Sequence, residues 1–271
     1  MFCGDTVDLD RIDMYERLDR ELTSVIYAHT GTLGCLKRAN RYFHAIDSIL
    51  IANGVPADLM YLACTESTMD PNAYSPAHAA GLWQLLAATA RQYGLQVDGE
   101  VDERYDPEKS TVAACRYLKA AYRKYGHWAT VAASYNAGMG RISSELEKQL
   151  EDNSFDLHLN SETSRYVFRI MAYKMFFADP RRYGYRLTRT QLYQPVRYTT
   201  AEVTGAVASW AQWAKDHGIS YAQLRDANPW IRSSRLTNSQ GKRYVVHIPV
   251  AADLYRSSRQ CSVYSTNWVV D

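Results

Sequence analysis

Up to Leu50 the apolar residues recur at helical spacing. Leu18, Leu22, Val25 and Ile26 share one face, and a second run, Leu36-Lys37-Arg38-Ala39-Asn40-Arg41-Tyr42-Phe43, carries the pattern on to Leu50. This predicts a helical arm, residues 1–50, packed on the larger helical domain beyond it. Gly54-Val55-Pro56-Ala57-Asp58 reads as a helix opening, with proline in the first turn and Asp58 where the helix dipole favours a carboxylate. Asp106-Pro107-Glu108 repeats that start, and its helix runs through Ala114, Leu118, Ala121 and Tyr125 to a stop at Gly126. Further helices are expected over Trp128 to Tyr135, Ile142 to Leu150 and Ser161 to Phe177. The last carries Tyr166, Ile170, Tyr173 and Phe177 on one stripe, before Asp179-Pro180 ends the helical part.

From about Arg189 the pattern changes. A strand-like Val196-Arg197-Tyr198-Thr199 precedes short helices around Val207 to His217 and Tyr221 to Asp226, and a second strand-like run, Tyr244-Val245-Val246-His247-Ile248, comes after them. The expected fold class is therefore mainly α, closed by a small α+β unit of βααβ order. The boundary falls between Tyr185 and Pro195, giving segments 1–50, 51–187 and 188–271.

A chain of 271 residues, 46% of them hydrophobic, can bury a substantial core, and a formal net charge of +2 argues against a nucleic-acid partner. The 21 Tyr and 6 Trp suit packing and also stacking on sugar rings. Five cysteines, an odd number without CxxC pairing, encode neither a zinc site nor a full disulfide framework, and no cofactor is expected. Cys64 and Cys115, inside Ala- and Leu-rich helical patterns, read as small buried thiols. No apolar run reaches membrane-spanning length, and no hydrophobic signal region comes after Met1-Phe2-Cys3-Gly4-Asp5. An export signal would already have been removed, leaving Cys3 as the residue that could carry a lipid anchor.

The chemistry centres on Glu66. Leu59, Leu62, Ala63 and Glu66 fall at i, i+3, i+4 and i+7, so a carboxylate shares a face with an apolar stripe. Burial there disfavours the charged form, which is what a general acid for glycosidic cleavage needs near neutral pH; a salt-bridged glutamate reaching solvent is the plainer alternative. Around it stand Ala63-Cys64-Thr65-Glu66-Ser67, then Asp70-Pro71-Asn72-Ala73-Tyr74-Ser75-Pro76 and Ala80-Gly81-Leu82-Trp83-Gln84. Ala133-Ser134-Tyr135-Asn136-Ala137-Gly138 and Glu162-Thr163-Ser164-Arg165-Tyr166-Val167 come later. Four ordered motifs among these segments, Glu66-Ser67, Gly81-Leu82-Trp83-Gln84, the Ala133 to Gly138 run and Glu162-Thr163 with Tyr166-Val167, resemble those of the lytic murein transglycosylases, most closely the membrane-bound D-type branch. The resemblance covers about Asn53 to Phe177 and, more loosely, the helical arm.

The resemblance implies a goose-lysozyme-like helical domain that cleaves peptidoglycan strands and leaves 1,6-anhydromuramoyl ends, in an exported protein of the periplasm or outer membrane. It makes Glu66 the catalytic acid/base and Ser67, Ser75, Gln84, Tyr135, Asn136 and Tyr166 substrate-binding or supporting residues, with Tyr166 touching Glu66. Gly81, Gly138 and Gly140 would let backbones approach closely. Without the resemblance, Tyr166 is a core tyrosine, Gln84 and Asn136 are helix-end caps, Trp83 is core, and Ser75 begins a turn. Apart from Asp70, the motif cluster offers no obvious second carboxylate, and ordinary glycosidases need two. The rival readings are a goose-type lysozyme-like hydrolase of peptidoglycan or chitin, using Asp70, and a non-catalytic peptidoglycan-binding protein.

The last segment resembles a lysin-motif (LysM) unit. The match runs from Gly218-Ile219-Ser220-Tyr221 through Leu224 to Asn228-Pro229 and ends in Val246-His247-Ile248-Pro249. The usual Gly-Asp-Thr-Leu is replaced by Glu202-Val203-Thr204-Gly205-Ala206, so the resemblance implies a packing module in which glycan binding is the weaker expectation.

Overall fold

The computed structural model describes residues 1–256 and 261–271. Helices α1 (Ile12–Tyr27) and α2 (His29–Ala52) form the amino-terminal part. They are more than an appended arm. Cys35, Leu36, Ala39, Phe43, Ile46 and Leu50 of α2 are buried in the same core as Leu59, Leu62, Trp83 and Phe176. Helix α1 lies along α8 (Ser161–Ala178), and the fully buried Glu21 carboxylate accepts hydrogen bonds from Arg165 Nε at 2.5 Å and Arg169 Nε at 3.0 Å. With Arg20 Nε also donating to Oε1 at 3.2 Å, three guanidiniums on one buried carboxylate compensate its desolvation, and the two from α8 fix the α1–α8 register.

Between these lie α3 (Met60–Ser67), α4 (Ala87–Gln92), α5 (Pro107–Tyr125), α6 (Trp128–Ala137) and α7 (Met139–Gln149). Helix α5 forms as its local sequence dictates: the Asp106 carboxylate accepts from the amides of Glu108 and Lys109, both at 3.0 Å, and Gly126 ends the helix at φ 67°. Helix α3 starts differently from the sequence expectation. A 3-10 turn, Ala57–Leu59, precedes it, and Asp58 accepts from Lys174 Nζ and the Cys3 amide, each at 2.7 Å. An ion pair to α8 takes the carboxylate that the dipole argument assigns to a helix start.

The small second unit is a two-stranded antiparallel sheet, β1 (Tyr198–Val203) and β2 (Tyr244–Pro249), paired from Tyr198↔Pro249 to Val203↔Tyr244. Between the strands sit α9 (Trp210–Asp216) and α10 (Tyr221–Ala227), each begun by a serine cap, Ser209 or Ser220. Strand β1 begins later than the sequence run at Val196, because the Arg197 amide donates to Asp253 at 2.8 Å rather than to the ladder. A second core gathers Trp210, Leu224, Trp230, Ile231, Tyr244 and Val246, and it takes in Val101 from the helical body.

The chain then returns to the first core. Trp268 is buried there and donates from Nε1 to Phe177 O at 2.8 Å, the Tyr264 amide donates to Asn40 Oδ1 at 2.9 Å, and Leu187 pairs with Val269 in a parallel bridge. By packing, residues 262–270 belong with the helices and not with the βααβ unit that precedes them.

Candidate active site

Helix α3 is only two turns long and ends in two consecutive left-handed residues, Thr68 at φ 50° and Met69 at φ 63°. Arg38 of α2 holds that end: Nε and Nη2 donate to the Thr68 carbonyl at 3.0 and 2.9 Å, placing a cation at the negative pole of the helix. The Ser67 hydroxyl donates back to Ala63 O at 3.0 Å and across to Leu82 O at 2.9 Å. Ser67 is therefore the peg between the helix bearing Glu66 and the loop of the second motif.

Glu66 is half-buried, and the Tyr166 hydroxyl of α8 donates to its Oε1. Burial pushes the Glu66 carboxyl up to about 7; the Tyr166 bond opposes that rise and the negative charge of Glu162 adds to it. Near neutral pH such a group exists in both forms and can give and take a proton. The carboxylate whose charge acts on Glu66 is Glu162, which stands in the fourth motif and to which the sequence attaches no role. Asp70, the second carboxylate that the motif cluster offers, closes its own turn by accepting from the Asn72 amide at 2.9 Å.

The remaining candidates surround this pair. Tyr135 donates from its hydroxyl to Trp83 O at 2.7 Å, and the charge of Glu66 contributes, after burial, to lifting its phenol well above the ordinary range. Asn136 is clamped to the start of α8: Oδ1 accepts from Thr163 Oγ1 at 2.9 Å and Nδ2 donates to Glu162 Oε1 at 3.4 Å. Gln84 sits at φ 46° with Nε2 donating to Gly81 O at 2.9 Å and Ala73 O at 3.2 Å. Ser75 closes a tight turn with Ala79, whose amide donates to its Oγ at 3.1 Å. Trp83 is fully buried and donates to Thr111 Oγ1 at 2.8 Å, so it is core and no sugar platform.

Of the three glycines expected to permit close approach, Gly81 meets the description: a Cβ there would lie 1.9 Å from Arg104 O, at a φ of +76°. Around Gly138 and Gly140 a Cβ would meet nothing within 4 Å. Arg104, like Arg38 and Glu162, is a residue that sequence reasoning misses. It is buried, paired with Asp102 at 2.7 Å, and donates from Nη1 to His78 O at 2.8 Å and Leu85 O at 3.0 Å, so it spans both limbs of the loop. A lone Arg two positions after an Asp carries no pattern that marks it.

Two family models match segments of the chain. Residues 45–156 match the Transglycosylase SLT domain, and residues 199–252 match the soluble lytic transglycosylase C-terminal LysM-like domain. The chain therefore contains a transglycosylase SLT domain, residues 45–156. Among SLT relatives, membrane-bound lytic murein transglycosylase D of Escherichia coli (strain K12) is 30% identical over 267 residues, 95% of this chain and 57% of that protein. The soluble lytic murein transglycosylase of the same strain is 28% identical over 127 residues, 44% of this chain and 20% of that one. The chain thus spans a little over half the length of the first of these relatives, 57%. Among solved structures, the 70 kDa soluble lytic transglycosylase of Escherichia coli matches half of the chain, 50%, and 24% of its own, with a TM-score of 0.44 and 25% identity. The SLT match stops at residue 156, and the element that supplies Tyr166 lies beyond it.

Proposed function

We propose that this SLT chain is a peptidoglycan lytic transglycosylase with Glu66 as its single acid/base, the helical body doing the chemistry and the unit around 199–252 serving as a LysM-like module. One observation carries the assignment: a half-buried carboxyl lifted to about 7 and held by a buried tyrosine hydroxyl. On this reading protonated Glu66 gives its proton to the glycosidic oxygen as the bond from muramoyl C1 breaks, while the neighbouring acetamido carbonyl stabilises C1. The resulting carboxylate takes the proton of the muramoyl C6 hydroxyl as that oxygen bonds to C1, so the nucleophile belongs to the substrate. Ser75 and Gln84, on the 73–85 loop, and Asn136, in the last turn of α6, are the groups we assign to the glycan. The printed names of the relatives, murein transglycosylases, support the substrate class.

Mass analysis of sacculus digests tests this, because anhydro ends are one water lighter than reducing ends and only ring closure makes them. A digest dominated by reducing muramic ends would mean that water is the acceptor and the enzyme a hydrolase. Glu162, whose charge reaches Glu66, is then the base to change first. The same reading places the protein outside the cytoplasm, in the periplasm or at the outer membrane. Cys3 is the candidate for acylation, and mass spectrometry of envelope-derived protein would reveal it.

A further inference from the structure

The loop of residues 73–85 is gripped from two sides. Facing the reaction centre, Ser67 holds Leu82 O and Tyr135 holds Trp83 O. On the far side the loop rests on Arg104, whose carbonyl abuts Gly81 and whose guanidinium bonds His78 O and Leu85 O. Asp102 sets that guanidinium, accepting from Nε at 2.9 Å and from Nη2 at 2.7 Å. Asp102 is in turn fixed by the second unit.

The backbone of Glu100–Asp102 pairs antiparallel with Trp230–Arg232: the Asp102 amide donates to Trp230 O, the Arg232 amide donates to Glu100 O, both at 2.9 Å, and Val101 bridges Ile231. Val101 is fully buried in the second unit's core. The Glu100 carboxylate accepts from the Thr237 amide at 2.8 Å and from its hydroxyl at 2.9 Å, and the Arg232 guanidinium lies 4.1 Å above the Tyr105 ring. A continuous set of short contacts therefore runs from the LysM-like core through Val101, Asp102 and Arg104 to the loop that carries Gln84.

We infer that the C-terminal unit, beyond any contact with the wall polymer, positions the 73–85 loop of the active site through the Val101–Asp102–Arg104 segment, with Arg104 as a positioning residue. A module that acts only as a tether needs no strand pairing with the segment that braces this loop. The inference rests on the proposed transglycosylase reading for its kinetic consequence, and its structural consequence can be measured without turnover.

The test compares two full-length variants with the parent: Val101→Ala with Glu100→Gln, which loosens the seam outside the loop, and Arg104→Lys, which keeps the charge near Asp102 but loses the fork. Amide hydrogen exchange is read at Ala80, Gly81, Gln84 and Leu85, whose N–H groups are bonded within the loop. The coupling predicts exchange about tenfold faster there, with α1 and α8 unchanged, in the seam variant as well as in Arg104→Lys. On short soluble glycans kcat should fall about tenfold at similar KM, while retention on purified sacculi stays at the parental level. Parental exchange at all four amides in the seam variant overturns the inference, as does a seam variant that keeps its kcat and loses only sacculus retention. A parent that fails to cleave glycans would refute the proposed function, and the exchange data would still decide the coupling.

Discussion

Glu66 works against the fold that holds it. Its carboxyl titrates near 7 in the folded chain, above its ordinary value of 4.5, so the folded state favours the proton. The resulting cost is absent below about 4.5, grows as pH rises, and is complete above about 7. Glu66→Gln keeps a group that can accept from Tyr166 and removes the charge. It should raise stability at pH 8 by about 1–2 kcal/mol, allowing for the water that reaches the groove, and the gain should vanish at pH 4. The same variant should lose at least about a thousandfold in muropeptide release. Melting curves across pH, paired with sacculus digestion, check both; equal melting temperatures at pH 8 would contradict the raised titration. Two neighbours should move the pH profile in opposite directions. Tyr166→Phe removes a bond that favours the carboxylate, so Glu66 should titrate higher, with cleavage about tenfold slower and the product unchanged. Glu162→Gln removes a like charge, so the profile should shift toward acid. Shifts of the same sign in the two variants would contradict this account.

At the scale of elements, the parts legible in the sequence are those that local chemistry decides. Asp106-Pro107 and Gly126 bound α5 because a carboxylate cap, a proline first turn and a left-handed stop act on their own backbone. Strand β1 is displaced because its alternation is weak, five of its six residues being exposed or half-buried, and its start is set by the distant Asp253. Within the site, Glu66, Tyr166, Asn136 and Gln84 stand in motifs, while Arg38 and Arg104 act on carbonyls remote in sequence and leave no spacing to find. Gly81 joins the two kinds, being visible in a motif yet needed because of Arg104. Gly81→Ala should lower stability by about 3 kcal/mol or more, since a Cβ would strike backbone at 1.9 Å in a conformation side chains avoid. Urea titration would measure it, and a variant within about 0.5 kcal/mol of the parent would mean that the loop can move away from Arg104.

For the whole molecule, the division of the chain at Tyr185–Pro195 tracks a change in pattern, whereas the packing takes a different line. Trp268 fills the core beside Phe43, at 5.7 Å between ring centroids, and beside Phe177, at 5.1 Å. No periodicity announces a single tryptophan arriving from the far end of the sequence. Truncation after Tyr185 should therefore lower the melting temperature far more than joining Arg197 directly to Asp253, because the truncation uncovers that aromatic cluster and the excision leaves it closed. Residues Arg197 and Asp253 are already in contact at 2.8 Å, so the junction is short. Calorimetry of the two deletions gives the order, and an excision that melts as low as the truncation would show that the seam at Val101 outweighs the tail.

The return of residues 262–270 to the helices also changes how the second unit responds to load. A module hung on one linker swivels, and a pull on it reaches the rest of the protein along a single chain. Here the βααβ unit is suspended from two points, at Arg197 and at Asp253, with a strand-paired seam as a third. A pull on that unit would be divided among these attachments, and the unit would keep its bearing relative to the 73–85 loop.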